Sequence, residues 1–256
     1  TLFPYTTLFR SVQSGKWYGL SALVEADNVS RIGNEDYNST RNGQTQYSTV
    51  ADPDGSEINQ ALVRYEHRRG TAVVGRQRIN LDNQRFIGSA AWRQNEQTFD
   101  AGLAQLKPLT GMTLTYSYID NINSIFGPNN GKYDNKTNPA NINGHSQLFN
   151  AQYIAMRDFR GAPQLTLIGY SYLLDLDNIA VNRTSQIDTL SSRTTGLRAI
   201  AAKGPFTLTG EYAEQYNYSG NPQNLDSHYY LGELGYTWDG LLFKAGYEVL
   251  GGENGP

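Results

Sequence analysis

Between Trp17 and Leu250 the chain alternates polar and apolar residues in segments of about ten, and this period of two constrains the fold more than any other feature. Tyr18, Leu20, Ala22, Val24 and Ala26 share one face, with Ser21, Glu25 and Asp27 on the other. Ala61, Val63 and Tyr65 oppose Arg64 and Glu66, and Val73 and Gly75 oppose Arg76 and Arg78. Met112, Leu114, Tyr116 and Tyr118 oppose Thr113, Thr115 and Ser117, and Phe149, Ala151 and Tyr153 oppose Asn150 and Gln152. Ile168, Tyr170, Tyr172 and Leu174 read as apolar-face residues against Gly169, Ser171 and Asp175. Leu197, Ala199 and Ala201 oppose Arg198, while Phe206, Leu208 and Tyr212 oppose Glu211. Tyr230, Leu234 and Tyr236 oppose Glu233, and Phe243, Ala245 and Tyr247 oppose Lys244 and Glu248. With a weaker segment at Thr98–Lys107 this makes about eleven strands, each near the ten residues that cross a bilayer at a tilt.

The connections alternate too. Arg68-Arg69-Gly70, Pro108–Gly111, Asp158–Pro163, Lys203-Gly204-Pro205 and Asp239-Gly240 are tight. Asn28–Ser56, Asn80–Gln97, Asn121–His145, Leu176–Ser192 and Asn217–Asp226 are long and polar. Short turns at one rim and long loops at the other are the pattern of an all-β, antiparallel up-and-down transmembrane β-barrel. A soluble sandwich also alternates, but it keeps bulky aliphatics on one face and plain polar groups on the other. Here the apolar face is rich in Tyr, Ala and Gly, and the opposite face carries ionisable groups on nearly every strand. The barrel therefore predicts Tyr18, Tyr116, Tyr153, Tyr170 and Tyr247 on the outer face. No apolar run is long enough for a transmembrane helix, and a mean hydropathy of −0.55 is compatible with strands that face lipid only at every second residue.

Composition removes other classes. The absence of Cys leaves no disulfide framework, Cys-ligated zinc or thiol nucleophile, and a net charge of −3 argues against a nucleic-acid partner. His67, His145 and His228 lie in no nucleophile elbow or metal-ligand spacing, so the chain reads as non-enzymatic, with no cofactor or metal. Asp52-Pro53-Asp54-Gly55-Ser56-Glu57 gathers oxygen ligands around a glycine but lacks calcium-loop spacing, and reads as a solvated turn. The opening run Thr1–Ser11 looks like the in-frame translation of a widely used sequencing adapter and is excluded from the strand count. The remaining 12–256 reads as part of a longer barrel, truncated at both ends.

Two blocks carry a family resemblance. One is Val50-Ala51-Asp52-Pro53-Asp54-Gly55-Ser56-Glu57-Ile58-Asn59-Gln60. The other runs Gly75-Arg76-Gln77-Arg78-Ile79, Asp82-Asn83-Gln84-Arg85-Phe86 and Trp92-Arg93-Gln94-Asn95-Glu96-Gln97-Thr98-Phe99-Asp100-Ala101. Both resemble the alginate export family of Gram-negative outer-membrane porins, as do Tyr172–Asp175 and Ala245–Leu250. The resemblance implies a single-chain barrel of about eighteen strands in the outer membrane. It also implies passive, selective passage of an anionic polysaccharide such as alginate, with outer-membrane lipid and periplasmic export or uptake machinery as partners. A general or small-solute porin is the alternative, and a secreted β-rich carbohydrate-binding module a second one.

The candidate pore-lining and substrate residues are Arg64, Arg76, Arg78, Arg93, Arg198 and Lys244, with Glu25, Glu66, Glu211, Glu233 and Glu248 on the same polar face. Two readings of these charges are open. An arginine ladder binds carboxylates bidentately and selects an anionic or polar saccharide. Alternatively, the cations pair with the glutamates, Glu57 included, along the wall. The Arg76–Arg93 block likewise reads either as a loop bracing the rim or as a direct substrate contact.

Overall fold

The computed structural model describes residues 5–128, 139–156, 162–177, 190–221 and 225–252. Twelve strands form one sheet whose order follows the chain, so each strand pairs with its sequence neighbours. They are β1 (Tyr5–Gln13), β2 (Leu20–Arg31), β3 (Gly55–His67), β4 (Gly70–Gln77), β5 (Thr98–Leu106) and β6 (Met112–Asn123). β7 (Asn141–Met156), β8 (Gln164–Leu174), β9 (Ser192–Lys203), β10 (Phe206–Asn217), β11 (Asp226–Trp238) and β12 (Leu241–Leu250) complete it. The chain is all-β, antiparallel and up-and-down.

Short and long connections alternate as the sequence predicts. β11 and β12 are joined by Asp239-Gly240, with φ of 47° and 80°. Two successive left-handed residues match the twist of a two-residue hairpin, and Asp-Gly tolerates them best. The connections Asp158–Pro163, Asn121–His145, Leu176–Ser192 and Asn217–Asp226 fall partly outside the described residues. Among the described residues there are twelve strands rather than about eleven, because Tyr5–Gln13 pairs with β2 from Tyr5↔Arg31 to Gln13↔Leu23.

Two compact units divide the sheet, and the boundary crosses β5, β6 and β7 at Ala104/Gln105, Ser117/Tyr118 and Ser146/Gln147. One unit holds β1–β4 and the other β8–β12.

Within each unit the burial is inverted relative to a water-soluble protein. On β2 the apolar Leu20, Val24 and Ala26 are exposed while Glu25 and Asp27 are buried. On β10 Leu208 is 59% exposed, whereas Thr209 and Glu211 are buried. Leu197, Leu234 and Phe243 continue the exposed apolar face on β9, β11 and β12. In water such a surface costs about 25 cal/mol for each Å² of apolar area, and hydrocarbon removes that cost. The strand ladders satisfy the backbone donors and acceptors that hydrocarbon cannot. Aromatic pairs lie on the exposed face, among them Phe206–Tyr236 and Tyr212–Tyr230, each with ring centroids 5.0 Å apart.

Two parity expectations are corrected. Tyr18, Tyr116, Tyr153 and Tyr247 are exposed as predicted, but Tyr170 is 5% exposed and lies on the polar face with Ile168 and Tyr172. The ladder shows why: Tyr170 pairs with polar-face Asn150, whereas Leu167 and Ser171 pair with the exposed Tyr153 and Phe149. The outer residues of β8 are therefore Leu165, Leu167, Gly169, Ser171 and Leu173. On β4, Val73 pairs with Arg64 and is buried, and Val74 pairs with Val63 and is exposed. Gly75, at φ 118°, has no room for a side chain, since a Cβ there would meet the Ala61 carbonyl oxygen at 2.2 Å.

Candidate functional site: the buried polar face

In the first unit a bulge concentrates polar groups. The β2–β3 register shifts between Glu25 and Ala26, so Asn59 and Gln60, adjacent in sequence, are both buried. Asn59 Nδ2 donates to Asp27 Oδ2 at 2.8 Å. Past the end of β4, Arg78 Nε donates to Glu96 Oε1 and Oε2 at 2.8 and 2.6 Å, and Nη2 donates to Glu25 Oε1 at 2.5 Å. The hydrogen bond to Glu96, and then that to Glu25, raises the Arg78 pKa above its ordinary value, so the guanidinium stays charged. Arg76 grips Asp100 bidentately, Nε to Oδ1 at 2.7 Å and Nη2 to Oδ2 at 3.0 Å. Asn121 and Asn123 donate to the same carboxylate at 3.0 and 3.3 Å. Arg64 lies 3.8 Å from Glu66, which also binds Lys16.

The segment 78–97 folds back on itself over this face. Ser89 N donates to Asn80 Oδ1 at 2.7 Å, Gln97 Nε2 donates to the Gly88 carbonyl at 2.9 Å, and Ile79 and Ile87 are buried. Asn95 Nδ2 donates to the Pro53 carbonyl at 2.9 Å, and Arg93 lies 3.8 Å from Asp52, tying the segment to the connection before β3. Asp52 is thus engaged by protein donors, and among the described residues no cluster of acids or histidines is arranged to hold a metal ion.

The second unit carries a deeper ion pair. Arg198 Nη1 donates to Glu211 Oε2 at 2.9 Å, and the Tyr170 hydroxyl donates to Glu211 Oε1 at 2.7 Å. Glu211 and Arg198 are cross-strand partners on β10 and β9. Tyr170 reaches them across Gly196, where a Cβ would lie 2.4 Å from the tyrosine oxygen. Gly196→Ala is therefore expected to displace the ring and destabilise the protein by about 1–3 kcal/mol, read as an earlier urea midpoint in detergent. Nearer solvent, Lys244 Nζ donates to Glu233 at 2.8 Å, and the Tyr229 hydroxyl donates to Glu248 at 2.9 Å.

Every cation singled out in the sequence thus stands beside a carboxylate. Several of those partners, Glu96, Asp100 and Asp52, were not singled out with the pore-lining residues. Glu96 and Asp100 lie within the family block itself, 18 and 24 residues from the arginines they bind. Asp27 and Asn59 come together only through the bulge, which leaves no mark in the alternation.

Residues 18–249 match the sequence profile of the family described as Alginate export. The chain belongs to the alginate export family. The fold is that of outer-membrane porin β-barrels. The outer membrane protein OpdK of Pseudomonas aeruginosa superposes with a TM-score of 0.60 at 13% identity, covering 95% of this chain and 60% of OpdK. A BenF-like porin from Pseudomonas fluorescens Pf-5 gives 0.60 at 15% identity, over 96% of this chain and 59% of the porin. OpdQ of Pseudomonas aeruginosa gives 0.54 at 11%, over 96% and 58%. The chain thus spans about 60% of the length of these solved porins. No curated protein sequence matches it. This alginate export family chain is an outer-membrane β-barrel protein.

Proposed function

We propose that this chain forms part of the wall of an outer-membrane channel that passes hydrophilic solutes of saccharide type passively, without a covalent step. The observation that carries the reading is the inverted burial: charged and amide side chains are packed on one face while valine, leucine and tyrosine are exposed on the other. A secreted carbohydrate-binding module in water has no use for that exposed apolar face. The family description and the porin fold support a transport role.

Charge compensation favours a channel of weak ion preference. Arg76, Arg78, Arg198 and Lys244 donate to Asp100, Glu25, Glu96, Glu211 and Glu233. The structural relative OpdK is known with vanillate, a small solute, which supports a small-solute porin on the same scaffold. In a planar bilayer with a salt gradient, the reversal potential is expected close to zero. A strongly anion-selective reversal potential would return the arginine ladder.

Passage of an anionic polysaccharide such as alginate is the second reading. It draws on the family description and on the guanidinium forks of Arg76 and Arg78, which match carboxylates. Titrating oligouronate onto single channels separates the two. Block that disappears in Arg76→Gln and Arg78→Gln supports polyuronate passage, and unchanged conductance supports the small-solute channel.

A further inference from the structure

The short connections differ in charge from the rest of the chain. Among the described residues in or next to them stand Lys16, Arg68, Arg69, Lys107 and Lys203 against one acid, Asp239, although the whole chain carries −3. The first unit gathers Lys16, Arg68 and Arg69 on two neighbouring turns. In the β1–β2 turn Trp17 and Leu20 exchange backbone hydrogen bonds of 2.8 Å. Glu66 N donates to the Gly19 carbonyl at 2.9 Å, which seats this turn beside the β3–β4 turn. Lys16 binds the Glu66 carboxylate and Arg64 lies 3.8 Å from it, so the acid at this end of β3 is occupied. Arg68 and Arg69 are exposed and form no ion pair with a described residue. Tyr18 and Gly19 have φ of 46° and 90°, nearly the values of Asp239 and Gly240. That backbone suits Asp or Asn in the first position and opposes a bulky residue. Tyr18 adopts it nonetheless and is 86% exposed, beside Trp17 at 69%, with the two ring centroids 5.1 Å apart. Packing within the chain gives no return for that strain, whereas surroundings that favour aromatic rings do.

We infer that these two turns bind an anionic glycerophospholipid of the periplasmic leaflet, with Arg68 and Arg69 on its phosphate and Trp17 and Tyr18 against its glycerol and upper acyl region. Short turns of outer-membrane barrels face the periplasm, and Trp and Tyr collect where hydrocarbon meets headgroups. The phosphates lie just beyond that level, and guanidinium forks match their oxygens. Anionic lipid is favoured over zwitterionic lipid because Glu66 is already held by Lys16, which leaves no free carboxylate here for a lipid ammonium group. The inference goes beyond the channel reading and does not depend on conduction.

Quenching of Trp17 fluorescence by brominated lipid tests the site. Trp92→Phe combined with Trp238→Phe leaves Trp17 as the one tryptophan of the full chain. The protein is reconstituted in phosphatidylcholine vesicles carrying a minor fraction of brominated phosphatidylglycerol or, in parallel, of brominated phosphatidylcholine. Phosphatidylglycerol is expected to associate at least about fivefold more strongly, and high salt to shrink that preference. Arg68→Gln combined with Arg69→Gln is expected to lower the preference below about twofold. Retained heat-modifiable gel migration identifies folded variants. Tyr18→Asn is the second variant. Its urea midpoint in uncharged detergent is expected to be unchanged or higher, because Asn accepts the left-handed backbone, while quenching by brominated phosphatidylglycerol falls. Equal quenching by the two lipids, or an undiminished preference in the folded double Gln variant, overturns the assignment. So does a lower detergent midpoint in Tyr18→Asn, which would make the ring a packing residue. Failure of both lipids to quench Trp17 also overturns it, placing this rim in water and leaving it to a protein partner.

Discussion

Arg78→Ala is expected to destabilise the folded protein by about 3–5 kcal/mol, seen as a lower urea midpoint in detergent or vesicles. The reason is what remains behind. The side chains of Glu25 and Glu96 are only 6% and 7% exposed, and both bind the guanidinium of Arg78. Removing the cation leaves two like charges desolvated side by side, a configuration more costly than the loss of the hydrogen bonds themselves. The variant also cuts the bond that closes the base of the 78–97 segment, because Arg78 and Glu96 stand at its two ends. Arg78→Ala combined with Glu25→Gln and Glu96→Gln is expected to recover most of the stability, since neutral amides carry no uncompensated charge. A single variant as stable as the parent would show that water or another cation already neutralises the pair.

The second large effect concerns the opposite face. Leu197→Arg is expected to cost about 2–4 kcal/mol in a bilayer, because a mid-strand residue on the lipid side carries its charge to the depth of the hydrocarbon. Leu197 is 58% exposed near the middle of β9. Leu241→Arg is the companion. Leu241 is 57% exposed but adjoins the Asp239-Gly240 turn at the rim, where the same charge costs about 0–1 kcal/mol. The two positions are almost equally exposed, so a protein surrounded by water would tolerate both alike. Vesicle unfolding measurements that show no difference between them would remove the membrane-facing assignment of this surface.

The expectations that failed share a cause. Tyr-Ser-Tyr on β8 alternates faultlessly, yet its tyrosines belong to the buried face. Alternation fixes which residues share a side, and only pairing with a neighbour says which side that is. Tyr170 is drawn inward by two features distant in sequence, a partner in Glu211 and clearance above Gly196. On β4, Val73 pairs with Arg64 and is buried, so the side it takes follows from its partner on β3 and not from counting along β4. The polar face was legible as a set of charged positions. Its pairings were not, because Arg78 finds one carboxylate 53 residues away and another 18 residues away across a folded loop.

The sequence by itself determined the strand periodicity, the alternation of tight and long connections, the family, and hence the all-β outer-membrane fold. These are local properties, written in side-chain polarity at spacing two and in turn residues such as Asp239-Gly240. Only the tertiary structure decided which cations are engaged and by which carboxylates. The β2–β3 register shift and the fold of 78–97 bring together groups far apart in the chain, and electrostatic compensation depends on distances of a few ångströms that no linear pattern records.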